Sequence, residues 1–171
     1  RHGEHVLAFG AREPGGSHPV FVARWTADDF RRGDLRVPEW WCGPARGWVA
    51  DADPACRPAP VLDGGQTEFT VHRDGPSGVW LETQTVGFGA ARLALRAARH
   101  PCGPWSAPVV AYEPPETALP RVMVYAGKAH PHLAGADLVL TYATNSFEFG
   151  DLFRDDALYY PRFVRLSRAA R

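Results

Sequence analysis

The sequence predicts an all-β fold of repeated antiparallel sheets, on three observations. Gly (17) and Pro (16) are abundant among the 171 residues and fall between short apolar runs. Those runs alternate apolar and polar residues with the period of a half-buried strand. Three segments of comparable size, about residues 3–50, 61–113 and 119–166, each repeat a strand–turn–strand order.

In the first segment, His5–Phe9 reads as a strand, Gly10–Ser17 as a turn-rich loop, and Pro19–Trp25 as a second strand. Thr26 precedes Ala27-Asp28-Asp29-Phe30, and its hydroxyl suits the N-cap of a one-turn helix. Val37–Val49 is an aromatic-rich hairpin turning at Gly43-Pro44. Trp40 and Trp41 are neighbours on its first strand and therefore point to opposite faces. Asp51–Pro60 has no periodicity and reads as a surface loop.

The second segment holds four strands, Glu68–His72, Val79–Thr83, Arg92–Arg96 and Val109–Tyr112. Asp74-Gly75-Pro76-Ser77-Gly78 links the first two as a hairpin. In the third strand Leu93 and Leu95 alternate with Arg92, Ala94 and Arg96. Thr67 to Tyr112 is thus a four-stranded meander of about 45 residues, the length of one propeller blade. In the third segment Val122–Tyr125 is a strand and Lys128–Leu133 an extended turn. Asp137–Ala143 is the clearest buried strand, Asn145–Asp156 a loop or short helix, and Tyr159–Leu166 an alternating strand.

Radial repetition accounts for three similar units better than one sandwich does, although regular short strands alone fit both. The prediction is a single β-propeller domain over residues 1–171. Three blades are too few to close a ring, and the chain opens at Arg1, without Met, close to a strand-like run. Further blades are therefore expected upstream.

Composition bounds the function. Nineteen Lys and Arg balance nineteen Asp and Glu, which excludes broad electrostatic binding of nucleic acid or acidic membranes. Lys128 is the only lysine, an arginine bias that reads as genome composition. No apolar run is long enough for a membrane helix, and no signal peptide is visible. Cys42, Cys56 and Cys102 contain no CxxC pair, and no His, Asp and Glu cluster has ligand spacing, so neither a metal nor a cofactor is expected. A Cys42–Cys56 disulfide would fit an exported protein; three unpaired thiols fit the sequence equally well.

Several phrases carry a family resemblance: Gly3-Glu4-His5-Val6-Leu7-Ala8-Phe9-Gly10 with Pro19–Arg24; the Gly103-Pro104-Trp105-Ser106 turn; Tyr125 with Ala129-His130-Pro131; Leu138–Asn145; and Tyr160-Pro161-Arg162-Phe163. In this order they resemble the five-bladed β-propeller domain-of-unknown-function family that includes bacterial endo-D-arabinanases. More distantly they resemble the arabinanase, levansucrase and invertase propellers. The resemblance spans roughly residues 3–166 and implies five blades, of which this chain supplies the C-terminal three. It also implies catalytic carboxylates on inner strands, at least one of them an Asp in an N-terminal blade that these residues do not include.

Glycoside hydrolysis needs a carboxyl on each side of the scissile bond, one to protonate the leaving oxygen and one to activate water or attack the sugar. Glu68 opens a strand after Asp63-Gly64-Gly65-Gln66-Thr67, and the resemblance implies an acid Glu on a comparable strand. The structural alternative is an ion pair with an arginine. His130 matches a channel histidine of such propellers, against a purely structural role. Gln66 suits a sugar hydroxyl or a turn, and Arg24 suits a carboxylate partner. Tyr125 and Asn145 recur in the resemblance, with Tyr142 and Arg162, as substrate contacts or as framework. One of Trp40 and Trp41 is the best candidate for stacking on a sugar ring. The paired acids at Asp28-Asp29, Glu148 with Asp151, and Asp155-Asp156 read as solvated loop or helix-start residues.

The expected function is accordingly a glycoside hydrolase acting on arabinan-like or related polysaccharide, in the extracellular space or cell envelope. Its alternative is a non-catalytic carbohydrate-binding or structural propeller that lacks the N-terminal Asp. Neither nucleic acid nor membrane is an expected partner, and nothing in the sequence sets an oligomeric state.

Overall fold

Alternation and turn chemistry produce eleven strands in the computed structural model, which describes residues 2–13, 16–133, 135 and 137–167. Pro14 and Gly15 of the predicted first loop lie outside the described residues. The fold is all-β, with three open antiparallel sheets, one six-residue α-helix and two short 3-10 turns. The chain forms two compact units, residues 1–67 with 102–105, and residues 68–101 with 106–171.

The first unit holds a four-stranded meander of β1 (His5–Ala11), β2 (Val20–Thr26), β3 (Glu39–Trp41) and β4 (Trp48–Ala50) in sequence order. Thr26 caps α1 (Ala27–Arg32) as its hydroxyl implied, accepting the Asp29 amide at 3.1 Å. Gly33 ends the helix at φ 72°, the left-handed conformation that glycine takes without a Cβ clash. The register aligns Ala8, Ala23, Trp40 and Val49 across one face, and Trp41 stacks edge-on against Trp48 on the other. The loop after β4 returns to the sheet, where the Val20 amide donates to the Leu62 carbonyl and the Val61 amide to the Val20 carbonyl, each at 2.8 Å.

The second unit holds two sheets. One is the meander β5 (Phe69–Arg73), β6 (Trp80–Val86), β7 (Arg92–Ala98) and β8 (Val109–Tyr112); the other orders β11 (Arg162–Leu166), β10 (Leu138–Ser146) and β9 (Val122–Ala129). They share a core in which Leu93 meets Leu138, Leu140 and Tyr142, with Leu81, Leu95, Val164 and Leu166 around them. Asp74 closes the β5–β6 hairpin as its sequence predicts, accepting the Ser77 amide while its own amide bonds the Val79 carbonyl.

Two elements differ from expectation. β9 runs on to Ala129, so Lys128 is a strand residue and not part of a turn. β7 is buried on both faces: Leu93 and Ala94 are both inaccessible, and Arg96 is buried with Glu82 opposite it on β6.

Candidate active-site face

The site is set by an irregularity in β9. Lys128 pairs with Thr141 and Tyr125 with Ala143, so three residue steps on β9 match two on β10. The extra residue is absorbed near Ala126, which stands at φ 56°, in the left-handed region. Without it, Tyr125 and Lys128 would point to opposite faces. With it, both share the face of Thr141, Ala143 and Asn145, while Val124 and Ala129 stay on the core side.

That face gathers the polar residues of the second unit. Lys128 Nζ donates to Glu68 Oε1 at 3.2 Å, both side chains being a little over one-third exposed. The next amide, Ala129, donates to Thr70 Oγ1 at 2.9 Å, which ties β9 to the strand that follows Glu68. His130 Nε2 and Thr141 Oγ1 are 2.8 Å apart, and the imidazole lies against Phe163 and, edge-on, His132. Burial raises the Tyr125 hydroxyl pKa above its ordinary range, and the nearby Tyr159 and Glu68 add to the effect. Asn145 Oδ1 accepts the Ser146 amide at 2.8 Å. Its side lines a cavity of about 710 Å³ with Tyr159, Tyr160, Phe149 and Asp156.

Glu68, Tyr125, His130 and Asn145, four residues expected from sequence, therefore lie on or beside one sheet face. Lys128 and Thr141 were not expected there. A single lysine among so many arginines was a signal for Lys128, but its strand position depends on the bulge at Ala126-Gly127, which alternation alone does not place. Tyr142 and Arg162 belong to the framework. The Tyr142 hydroxyl donates to Glu116 Oε2 at 2.8 Å, and Arg162 Nε pairs with Glu116 Oε1 at 2.8 Å. Burial and the Glu116 bond raise the tyrosine pKa.

The remaining candidates belong to the first unit. Arg24 Nε donates to Glu39 Oε2 at 2.7 Å, and its guanidinium lies 4.5 Å from the centre of the Trp48 ring system. Gln66 is half-buried beyond Gly64 and Gly65, whose amides donate to the Ser17 and His18 carbonyls. Trp40 faces a groove of about 660 Å³ with Phe21 and Trp25. Small residues, Ala8, Gly10 and Ala23, form its floor, and Pro58 and Pro60 line it as well. Trp40 Nε1 donates to Asp51 at 2.8 Å, and Arg12 sits over the Phe21 ring.

Among the described residues, no three His, Cys, Asp or Glu side chains converge as a metal site, and no helix is long and apolar enough to cross a membrane.

The family described as Domain of unknown function (DUF4185) matches residues 1–148. The chain belongs to that family. A crystal structure from Bacteroides ovatus ATCC 8483, described as "a putative hydrolase", is similar to this DUF4185 chain with a TM-score of 0.69 and 20% identity. The similarity covers 96% of this chain and 42% of the other, so the DUF4185 chain spans about two-fifths of that protein's length. At this identity the likeness is one of fold. No curated protein matches the chain.

Proposed function

We propose that this DUF4185 chain supplies three blades of a five-bladed β-propeller that hydrolyses an arabinan-like or related polysaccharide. The observation that carries the reading is the Glu68–Lys128–Tyr125 group, a solvent-reachable carboxyl with a cation and a phenol, flanked by His130 and Asn145 on a single face. Three successive antiparallel sheets support the blade arrangement, and the hydrolase description of the Bacteroides ovatus structure supports the reaction class. Phe163, Tyr159 and Tyr160 are exposed beside the polar groups and offer ring faces for sugar C–H surfaces.

In this mechanism Glu68 is one of the two carboxyls, and the other is an aspartate from outside these residues, as the family resemblance implies. Acting as the acid, Glu68 would carry a proton and give up its pair with Lys128. Acting as the carboxylate that activates water or attacks the sugar, it keeps that pair. We assign it the carboxylate role for this reason, in place of the acid role that the family resemblance implies. Tyr125, His130 and Asn145 donate to or accept from sugar hydroxyls. Gln66 and Arg24 are assigned to substrate binding more loosely, Arg24 through its hold on Glu39. The same reading places the protein in the extracellular space or cell envelope, where such polysaccharide is met.

The test is product release from an arabinan panel by the full-length protein and its Glu68→Gln variant. Activity in the parent and a fall of about 10²-fold or more in the variant is expected. Rescue of a Glu68→Ala variant by azide with inversion at the anomeric carbon would place Glu68 in the carboxylate role, and rescue with retention would place it as the acid. Equal rates in parent and variant would remove Glu68 from the mechanism. The aromatic groove of Phe21, Trp25 and Trp40 favours a second reading, a carbohydrate-binding propeller without chemistry. Glycan binding without product release, undiminished in Glu68→Gln, would select it.

A further inference from the structure

Two of the three cysteines meet although thirteen residues separate them. Cys42 Sγ and Cys56 Sγ are 3.4 Å apart, so closure to a bond length of about 2.05 Å needs a movement of about 1.4 Å. Both ends are held by backbone hydrogen bonds. The Cys42 amide donates to the Gly47 carbonyl at 2.8 Å, closing the β3–β4 turn. The Cys56 amide donates to the Asp53 carbonyl at 2.8 Å, and three residues on the Ala59 amide donates to the Trp41 carbonyl at 2.8 Å. The two sulfurs therefore meet in a geometry that the surrounding main chain already fixes. Cys42 is buried and Cys56 half-exposed, so an incoming oxidant reaches Cys56 first.

We propose that Cys42 and Cys56 are a redox-modification site that closes to an intramolecular disulfide and clips the 51–60 loop to the end of β3. With a small-molecule disulfide as oxidant, the Cys56 thiolate attacks one sulfur of oxidised glutathione and releases one glutathione thiolate. The Cys42 thiolate then attacks the Cys56 sulfur of the mixed disulfide and releases the second. The protons lost by the two cysteines are taken up by the two glutathione thiolates, and the protein gives up two electrons. Desolvation and the adjacent Cys42 thiol push the Cys56 thiol up to about 11, so the reaction is slow at neutral pH and quickens as pH rises. The clip bears on the aromatic groove, because Pro58 and Pro60, two and four residues after Cys56, line that groove.

The experiment is peptide mapping of the protein after oxidised glutathione at pH 8.5, with an acid quench and alkylation in denaturant, against a dithiothreitol-treated control. A linked pair of peptides containing Cys42 and Cys56, with Cys102 alkylated, is the expected product. The oxidised form should also melt about 5–10 °C higher than the reduced form, from closure of the loop. Cys102→Ala should keep the link, and Cys42→Ala should lose both the link and the shift. Mapping the unsubstituted protein decides the matter even where Cys42→Ala does not fold. Alkylation of both Cys42 and Cys56 after oxidation, an unresolved glutathione adduct on Cys56, or a link to Cys102 would each overturn the proposal.

Discussion

Gly127→Ala should lower the melting temperature by about 5–10 °C, and Gly127→Val should leave the second unit largely unfolded. A Cβ built at Gly127 lies 2.9 Å from both the Gln84 carbonyl carbon and the Thr85 amide nitrogen, and 3.1 Å from the Gln84 carbonyl oxygen. These are main-chain atoms of β6, the middle of a hydrogen-bonded sheet, so they cannot swing aside as a side chain would. Relief requires β9 to move away from β6. That movement would open the core between Leu93 and Leu140 and draw Lys128, one residue on, away from Glu68. Overpacking of this kind costs about 1–3 kcal/mol for one methyl, and more where backbone must yield. Thermal unfolding followed by near-ultraviolet circular dichroism measures it. Gly75→Ala is the control: a Cβ there meets nothing within 4 Å, and its melting temperature should stay within about 2 °C of the parent. A Gly127→Ala protein as stable as the parent would show that β9 does not approach β6 so closely.

Gly127 also marks where the sequence stops being readable. The strands of the first unit, the Asp74–Gly78 hairpin and the Thr26 cap follow from local rules, and each is found where alternation or turn chemistry puts it. The opposed faces of Trp40 and Trp41 follow in the same way. Lys128 escapes those rules because a bulge at a non-glycine residue resets the alternation, so that residues three apart share a face. In Val-Met-Val-Tyr-Ala-Gly-Lys-Ala only Gly127 hints at an irregularity, and alternation alone does not place the reset; Gly127 is also where the strand passes the backbone of β6 closely. Glu68 was legible as a carboxyl at a strand opening, but its partner comes from sixty positions along the chain and is a lysine, not an arginine. Glu82 was not legible at all. In Leu-Glu-Thr-Gln-Thr it reads as an outward-facing residue of a half-exposed strand, and only the burial of both faces of β6 and β7 makes it an interior acid.

That interior acid should make the protein less stable as pH rises from about 4.5 to about 7, and then indifferent to further increase. Glu82 is 1% exposed, and burial drives its pKa up from 4.5 to about 7, with Arg96 opposing the shift. The guanidinium is 3.7 Å away, too far to hydrogen-bond, and neither Glu82 oxygen has a hydrogen-bond partner among the described residues. Desolvation therefore wins over attraction. Because the folded-state pKa lies above the unfolded one, the folded protein holds a proton there that the unfolded chain has lost. The acid's stability contribution is fully present below about 4.5, falls as pH rises through that window, and is gone above about 7. The displacement corresponds to a few kcal/mol, on the order of 3. Chemical denaturation of the parent and of Glu82→Gln at pH 5, 6, 7 and 8 tests the sign. The glutamine cannot ionise, so the stability of Glu82→Gln relative to the parent should rise from pH 5 to pH 8. Arg96→Met alone should destabilise most at pH 8, because losing the cation raises the Glu82 pKa further and the buried acid must then hold a proton that the unfolded chain has lost, or ionise unpaired; the cost there should be about 3 kcal/mol or more. The double variant Glu82→Leu with Arg96→Met removes both charges at similar volume. It should match or exceed the parent at pH 8, since burying the pair costs more than its attraction returns. A double variant much weaker than the parent at every pH would instead make the pair a net stabiliser of the sheet. A difference between Glu82→Gln and parent that does not change with pH would show that Glu82 keeps an ordinary carboxylate in the folded chain.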